Sequence, residues 1–203
     1  MAIFSLHHKS IGRSTHRRGR TGAHVRYISR GSAEPEILAA RMPSEWKQAK
    51  RWFDQEESED RKNARVADSI MVALPRELSP RQRSYLVKAF LEDLTEGLVP
   101  WYAAIHAKGE DEDNPHAHIL IRDRSPSDGR RVLKLSSRGS TIKIRRKWSQ
   151  WASMALKAAS YDLVIDHRSL KDQGIDRFPT RHRGPCWKDQ VKRLQTGVKF
   201  VPD

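Results

Sequence analysis

Hydrophobic and polar positions alternate with period two along some stretches of the chain and recur at helical spacing along others. Ala2 to Ile11 alternates as a first strand and stops at Gly12. Arg13 to Gly22, polar and glycine-containing, predicts a basic loop, and Ala23 to Ser29 starts a helix before Gly31 and the Glu34-Pro35 break. Ser44 has the character of an N-cap, with Trp46, Ala49 and Trp52-Phe53 following at helical spacing. Ala67 to Leu74 predicts a buried strand closed by Pro75. Ser79-Pro80 then opens a helix with Tyr85, Leu86, Ala89, Phe90 and Leu94 on one face, ending at Gly97. Trp101 to Ala107 and His116 to Ile121 predict an antiparallel hairpin across the acidic linker Lys108 to Pro115. Ile144 to Ala159 predicts a helix carrying Trp148, Trp151 and Leu156, and Leu163 to Ile165 a short strand. From Ser169 onward Gly174, Pro179, Gly184 and Pro185 break any long element, leaving loops with a short helix. This order predicts one α+β domain over residues 1–203, loop-rich from about 169, with a sheet covered by helices on one side.

Composition narrows the class. A chain of 203 residues suits a single domain and can bury roughly 70% of its unfolded surface. The single cysteine, Cys186, excludes an internal disulfide framework. Apolar runs such as Ile70 to Leu74 fall far short of a membrane helix, which needs about 20 residues. No signal-peptide core follows the start, so the expectation is a cytoplasmic protein with no membrane insertion. Lys and Arg number 39 against 25 Asp and Glu, a formal net charge of +14. That excess makes nucleic acid the default partner, because Lys and Arg displace counterions condensed on phosphates. The charge is segregated. Lys9, Arg13, Arg17, Arg18, Arg20, Arg26 and Arg30 occupy a stretch with no acid, a second basic stretch runs from Arg122 to Lys147, and Asp54 to Asp60 is acidic between them. Any one such run is ordinarily a solvated surface; two flanking an acidic run point to a binding groove. Trp148 and Trp151 beside Arg145, Arg146 and Lys147 can stack unpaired bases, or serve as helix core.

The most chemically suggestive pattern is histidine. Side chains two apart on a strand share a face, so His116 and His118 point the same way while Ala117, Ile119 and Ile121 take the other. Antiparallel pairing with the preceding strand, where Tyr102, Ala104 and His106 share a face, can set His106 beside them. Three imidazoles on one ion leave coordination positions open, as a catalytic metal site requires. An isolated histidine is more often a surface or core residue, and His7, His8, His16 and His24 fit that plainer reading. Asp166, next to His167, can fix the tautomer of another histidine. Asp113-Asn114 fits a turn before Pro115.

These segments, taken together, resemble the MobA/MobL family of plasmid mobilisation relaxases within the HUH endonuclease superfamily. The resemblance rests on Met1 to Phe4, Ala23 to Arg30 (AHVRYISR), Val72 to Leu78 (VALPREL), Ala104 to Ala107 (AIHA), Asn114 to Leu120 (NPHAHIL), and Ile165 to Arg168 with Gln173 to Ile175, in the family's order along nearly the whole chain. It implies a central antiparallel sheet of ferredoxin-like or RRM-like type with helices on one face, and site- and strand-specific nicking and religation at a plasmid origin of transfer. It places the nucleophilic tyrosine at Tyr27 and the metal ligands at His106, His116 and His118. On its own Tyr27 would read as a surface aromatic. The family's acidic residue before the Ala-Leu-Pro segment has no clear match; Asp68 and Ser69 are nearest.

The chemistry implied is attack by Tyr27 on a phosphodiester, giving a 5′-phosphotyrosyl link and a free 3′-OH that can reseal the strand. A divalent ion, Mg²⁺ or Mn²⁺ by availability or Zn²⁺, Ni²⁺ or Co²⁺ by imidazole affinity, would neutralise the scissile phosphate. A free tyrosine titrates near about 10 and needs a base or a cationic neighbourhood. Arg26 and Arg30 can supply the latter, and Asp68 or Asp166 the former. Expected partners are single-stranded or supercoiled plasmid DNA, accessory mobilisation proteins and a type IV coupling protein. Two other functions use the same features. A rolling-circle replication initiator shares the chemistry but carries its tyrosine after the histidines, and a non-enzymatic basic accessory protein would need neither Tyr27 nor metal.

Overall fold

The computed structural model describes residues 4–30, 34–135 and 137–176. Pro179, Gly184, Pro185, Cys186, Gly31 and most of the Met1 to Phe4 match lie outside them. The chain forms two compact units, Met1–His167 and Arg168–Asp203. In the second, Ser169 accepts from the Asp172 amide and donates to its carboxylate at 2.6 Å, and the described residues are turns.

The first unit is built on five strands: β1 (Leu6–Gly12), β2 (Glu36–Ala40), β3 (Arg65–Ala73), β4 (Trp101–His106) and β5 (His116–Ile121). Their order is β1-β3-β5-β4-β2, every neighbour antiparallel. The central position of β4 and β5 follows from their composition. In β4 five of six residues are buried, and alternate residues pack into different cores.

Helices cover both faces, not one. Helices α3 (Pro80–Leu94) and α4 (Ser140–Ala158) pack Phe90, Leu91, Trp148 and Leu156 against Ile70, Val72, Ala103, Ile119 and Ile121. On the reverse face α1 (Arg20–Ile28) and α2 (Trp46–Glu59) pack Val25, Ile28, Ala49 and Phe53 against Ala67, Tyr102, Ala104 and Leu120. A β4 strand apolar on both sides requires cover on both.

Local chemistry sets the ends of these elements. Pro80 follows the Ser79 cap of α3, and Ser79 and Gln82 make a reciprocal capping box. The N-cap of α2 is Glu45 and not Ser44; its carboxylate accepts from the Lys47 and Gln48 amides, both at 2.9 Å. Helix α1 begins three residues before its predicted start, inside the expected basic loop. Its N-cap Gly19 has φ 76°, and the Gly19 amide donates to the carboxylate of Glu57 on α2. Strand β2 was not expected; the short segment after Pro35 gains its hydrogen bonds only by pairing with β4. Conversely, Leu163 to Ile165 forms no strand. The Ile165 amide donates to Ser153 Oγ of α4 at 2.9 Å, which satisfies it without a ladder. No helix among the described residues is long and apolar enough to cross a membrane.

Candidate active site

The β4–β5 register places His106 opposite His116 and Ala104 opposite His118. All three histidines project from the α1/α2 face, the one on which Tyr102, Ala104 and Leu120 are buried. The rings of His106 and His116 stack with centroids 5.2 Å apart. His118 meets both edge-on, at 5.2 and 5.0 Å.

Hydrogen bonds assign the ring nitrogens. His106 Nε2 lies 2.8 Å from the Ile28 carbonyl at the end of α1. A carbonyl only accepts, so Nε2 carries the proton and Nδ1 the lone pair when the ring is neutral. His116 Nδ1 likewise donates to the Asn114 carbonyl at 2.9 Å, which frees Nε2. Burial pushes the His118 pKa down to about 3, with further lowering from His116, His106 and His24. It is therefore an uncharged donor near neutral pH. One ligand atom each from His106, His116 and Asp111 lies within 4.8 Å of the others. Two nitrogens with lone pairs freed by carbonyls, a third ring held neutral and an adjacent carboxylate fit a divalent cation.

Tyr27 is exposed, near the C-terminal end of α1. Its ring stacks on His24 one turn earlier, at 6.1 Å and 24°, and His24 meets His118 edge-on at 6.4 Å. Burial, followed by the charge of Arg20, lowers the His24 pKa, and its Nε2 lies 3.4 Å from Ser69 Oγ. The helix end is pinned from two sides: His106 holds the Ile28 carbonyl, and the hydroxyls of Ser29 and buried Tyr102 are 2.8 Å apart. Tyr102 therefore supports α1 from within the core, and burial raises its pKa. The chain from Tyr27 through His24 to His118 is one of ring contacts.

Other predicted residues lie elsewhere. Asp68 is on the opposite face of β3, paired with Ile121, fully buried and held by His8 at 2.7 Å and by Arg65. Its neighbour Ser69 faces His24. Asp166 lies 3.8 Å from His167 in a groove shared with Asp93 and Trp151 of the α3/α4 side. Neither aspartate is placed to serve the histidine cluster, because alternate strand residues face opposite ways and α4 covers the other face. Arg145 lies over the Phe4 ring at 4.8 Å and donates to the His167 carbonyl, and Lys147 pairs with Asp93 at 3.0 Å. With exposed Arg146 they lie on α4, remote from the histidine face. Trp148 is core, edge-on to Phe90, and Trp151 donates to Asp93. Arg13 donates to the Asp60 carbonyl, while Arg17, Arg18, Arg20, Arg26 and Arg30 are exposed along and beside α1.

Sequence reasoning missed His24 and Asp111. The signal for the first is its i, i+3 spacing from Tyr27, which puts both on one helix face. For the second it is a carboxylate in the loop joining two histidine-bearing strands.

Known proteins resemble this chain in sequence and in fold. The MobA/MobL family model matches residues 13–139 and 127–193. Mobilization protein A of Escherichia coli is 31% identical over 91% of this chain and 30% of its own length. The probable mobilization protein MobA of Bifidobacterium longum is 33% identical over 61% of this chain and 29% of its own. The chain thus spans about 30% of the length of these relatives. Among solved structures, one bearing on vancomycin resistance transfer in Staphylococcus aureus superposes with a TM-score of 0.62, at 20% identity over 83% of this chain and all of its own. TrwC complexed with a 27-mer DNA comprising the recognition hairpin and the cleavage site gives 0.56, at 13% identity over 98% of this chain and 93% of its own. The Mn-bound MobM relaxase domain on pMV158 oriT DNA gives 0.53, at 15% identity over 94% of this chain and 99% of its own. The fold is shared with these structures. With two model matches that together extend from residue 13 to residue 193, the chain belongs to the MobA/MobL family.

Proposed function

We propose that this chain is a DNA relaxase, cutting and rejoining one strand at a plasmid origin of transfer through Tyr27. The observation that carries the reading is the attachment of α1: Tyr27 sits at a helix end whose Ile28 carbonyl is held by His106, and its ring stacks on a histidine that touches His118. Tyr27 and the metal-fitting cluster thereby belong to one compact unit joined by direct contacts, the arrangement proximity catalysis uses. The family membership and the oriT-bound structures sharing the fold support the same substrate class.

In this reading the exposed arginines Arg17, Arg18, Arg20, Arg26 and Arg30 attract the DNA backbone and stabilise the negative charge developing at Tyr27. His106, His116 and His118 would hold the divalent cation, which when bound neutralises and orients the scissile phosphate. His24 orients the Tyr27 ring by stacking. The Tyr27 oxygen forms a bond to phosphorus, the phosphorus–O3′ bond breaks, and the phenolic proton is balanced by the one the 3′-oxygen takes up. The 5′-phosphotyrosyl link retains phosphodiester energy, so the reverse attack reseals the strand without ATP. Every residue given a role here belongs to the unit Met1–His167. The proposed setting is the cytoplasm, with accessory mobilisation proteins and a coupling protein as further partners.

The test is incubation of the chain with supercoiled plasmid carrying its cognate origin and Mn²⁺ or Mg²⁺. The expected result is open-circular DNA with protein on the 5′ end, lost with chelator or in Tyr27→Phe. Cleavage that survives Tyr27→Phe would indicate a hydrolytic nuclease, and salt-sensitive binding without any cleavage an accessory DNA-binding protein.

A further inference from the structure

The loop between the two histidine strands concentrates acid in a strongly basic protein: Glu110, Asp111, Glu112 and Asp113 occur in succession. A turn directs one of them inward. Gly109, at φ 61°, opens the short 3₁₀ turn Gly109–Asp111; the Asp111 amide donates to the Lys108 carbonyl at 3.2 Å, and the Asp111 carbonyl accepts from Asn114 at 3.0 Å. The Asp111 carboxylate therefore faces His106, with Oδ2 3.6 Å from Nδ1. Asp113, two residues on, is 97% exposed and lies 3.8 Å from Arg76.

The His106–Asp111 contact, at 3.6 Å, is too long for a direct hydrogen bond. Nε2 is the donor to Ile28, so a neutral ring turns its Nδ1 lone pair toward the carboxylate, and either a second ring proton or a cation between the two joins them. A metal ion is the joint that the neighbouring histidine also fits. Two ligand atoms each about 2.1 Å from one ion stand about 3.0 Å apart in octahedral geometry and about 3.4 Å apart in tetrahedral geometry, so a small inward movement of the carboxylate closes the 3.6 Å present. His116 Nε2, freed by its own bond to Asn114, belongs to the same set.

We infer that Asp111 is a carboxylate ligand of the metal site, added by the hairpin loop to the histidines of the strands. This rests on the metal-binding part of the proposed function. A carboxylate contributes negative charge and hardness that imidazoles lack, and shifts preference toward Mn²⁺ and Mg²⁺ over the imidazole-favoured Zn²⁺ and Ni²⁺. It thus gives this site selectivity for the ions a phosphoryl-transfer reaction uses.

The test is calorimetric titration of the apo chain with Mn²⁺ and, separately, Zn²⁺, for wild type, Asp111→Asn, Asp111→Glu and Asp113→Asn, with circular dichroism melts confirming folding. The expected result is a Mn²⁺ affinity at least tenfold weaker in Asp111→Asn, a smaller loss for Zn²⁺, partial recovery in Asp111→Glu and no change in Asp113→Asn. Equal Mn²⁺ affinity in wild type and Asp111→Asn, or equal losses in Asp111→Asn and Asp113→Asn, would overturn the assignment. The readout is independent of DNA cleavage. Metal binding through Asp111 without a tyrosyl adduct removes the proposed reaction and leaves the ligand, whereas adduct formation with unaltered affinity in Asp111→Asn removes the ligand alone.

Discussion

Gly22 controls how closely α1, the helix that carries Tyr27, approaches α2. It is buried, and a Cβ built there meets the Asp54 side chain, 2.9 Å from Cγ and 3.1 Å from Oδ2, with Oδ1 nearer still. Asp54 is already held by Lys50, one turn earlier on α2, and its Oδ1 is buried. In an isolated helix Gly22→Ala would gain about 1 kcal/mol from backbone propensity. Against it stands overpacking, about 1–3 kcal/mol when a buried contact must move, and disturbance of an i, i+4 ion pair worth about 0.3–0.5 kcal/mol. The clash wins, and Gly22→Ala should destabilise the fold by about 1–2 kcal/mol, moving the urea midpoint down by about 0.5–1 M for a slope near 2 kcal/mol/M. In an Asp54→Ala background the obstruction is gone, so the same substitution should stabilise by up to about 1 kcal/mol. The double-mutant cycle then gives a coupling of about 2 kcal/mol with a change of sign. Equilibrium urea denaturation of the four proteins measures it. If Gly22→Ala is neutral or stabilising with Asp54 present, or equally destabilising without it, the close-approach argument is refuted.

Further outcomes follow from buried contacts. Arg122→Ala removes the guanidinium that binds both oxygens of buried Asp60 at 2.9 and 3.2 Å and leaves Arg124, at 3.3 Å, to pair with that carboxylate; a loss of about 2–3 kcal/mol is expected in chemical denaturation, and a loss under 1 would contradict it. Tyr102→Phe removes the hydroxyl facing Ser29 beside α1 and should cost about 1 kcal/mol; covalent adduct yield should fall while Mn²⁺ affinity holds, and unchanged yield would deny Tyr102 its support of α1. The Glu92 pKa lies below its usual value, chiefly because Arg41 donates to both its oxygens, with Trp101 adding a third donor. A depressed carboxylate stabilises the fold above its unfolded value and loses that contribution as pH falls through the folded one. Melting temperature should therefore drop more steeply below about pH 4.5 in wild type than in Glu92→Gln; parallel profiles would show the network to be without effect.

Period-two patterning identified the strands that matter most. His116 to Ile121 is β5 to the residue, and Trp101 to Ala107 overruns β4 by one. From that alone the shared face of His106, His116 and His118 follows. What escaped was whatever depends on a distant partner. Strand β2 is apolar from Ile37 to Ala40 but only five residues long, too short for its pattern to separate strand from helix before β4 is known to lie beside it. The start of α1 is hidden by Gly22, a residue that weakens a helix locally yet permits its packing on α2. The second helical layer was missed although β4 carried its signal, since a run apolar at every position from Trp101 to Ile105 marks a strand buried on both faces. Asp68 looked suitable because it precedes the Ala-Leu-Pro segment; the register turns it away and presents Ser69 instead. The charge run at 145–147 lies on α4, where Lys147 pairs with Asp93, Arg145 lies over Phe4 and donates to the His167 carbonyl, and Arg146 is exposed; these partners depend on tertiary contacts that a charge run does not reveal.

The central claim is that Tyr27 is the atom donor in strand transfer. The direct measurement is tandem mass spectrometry of the tryptic peptides from chain trapped on a single-stranded origin oligonucleotide in the presence of Mn²⁺. The account predicts one nucleotide-modified peptide, with the mass increment localised to Tyr27 and absent from a chelator-treated sample. Modification of Tyr85, Tyr161 or a histidine instead, with Tyr27 recovered unmodified from active protein, would contradict it.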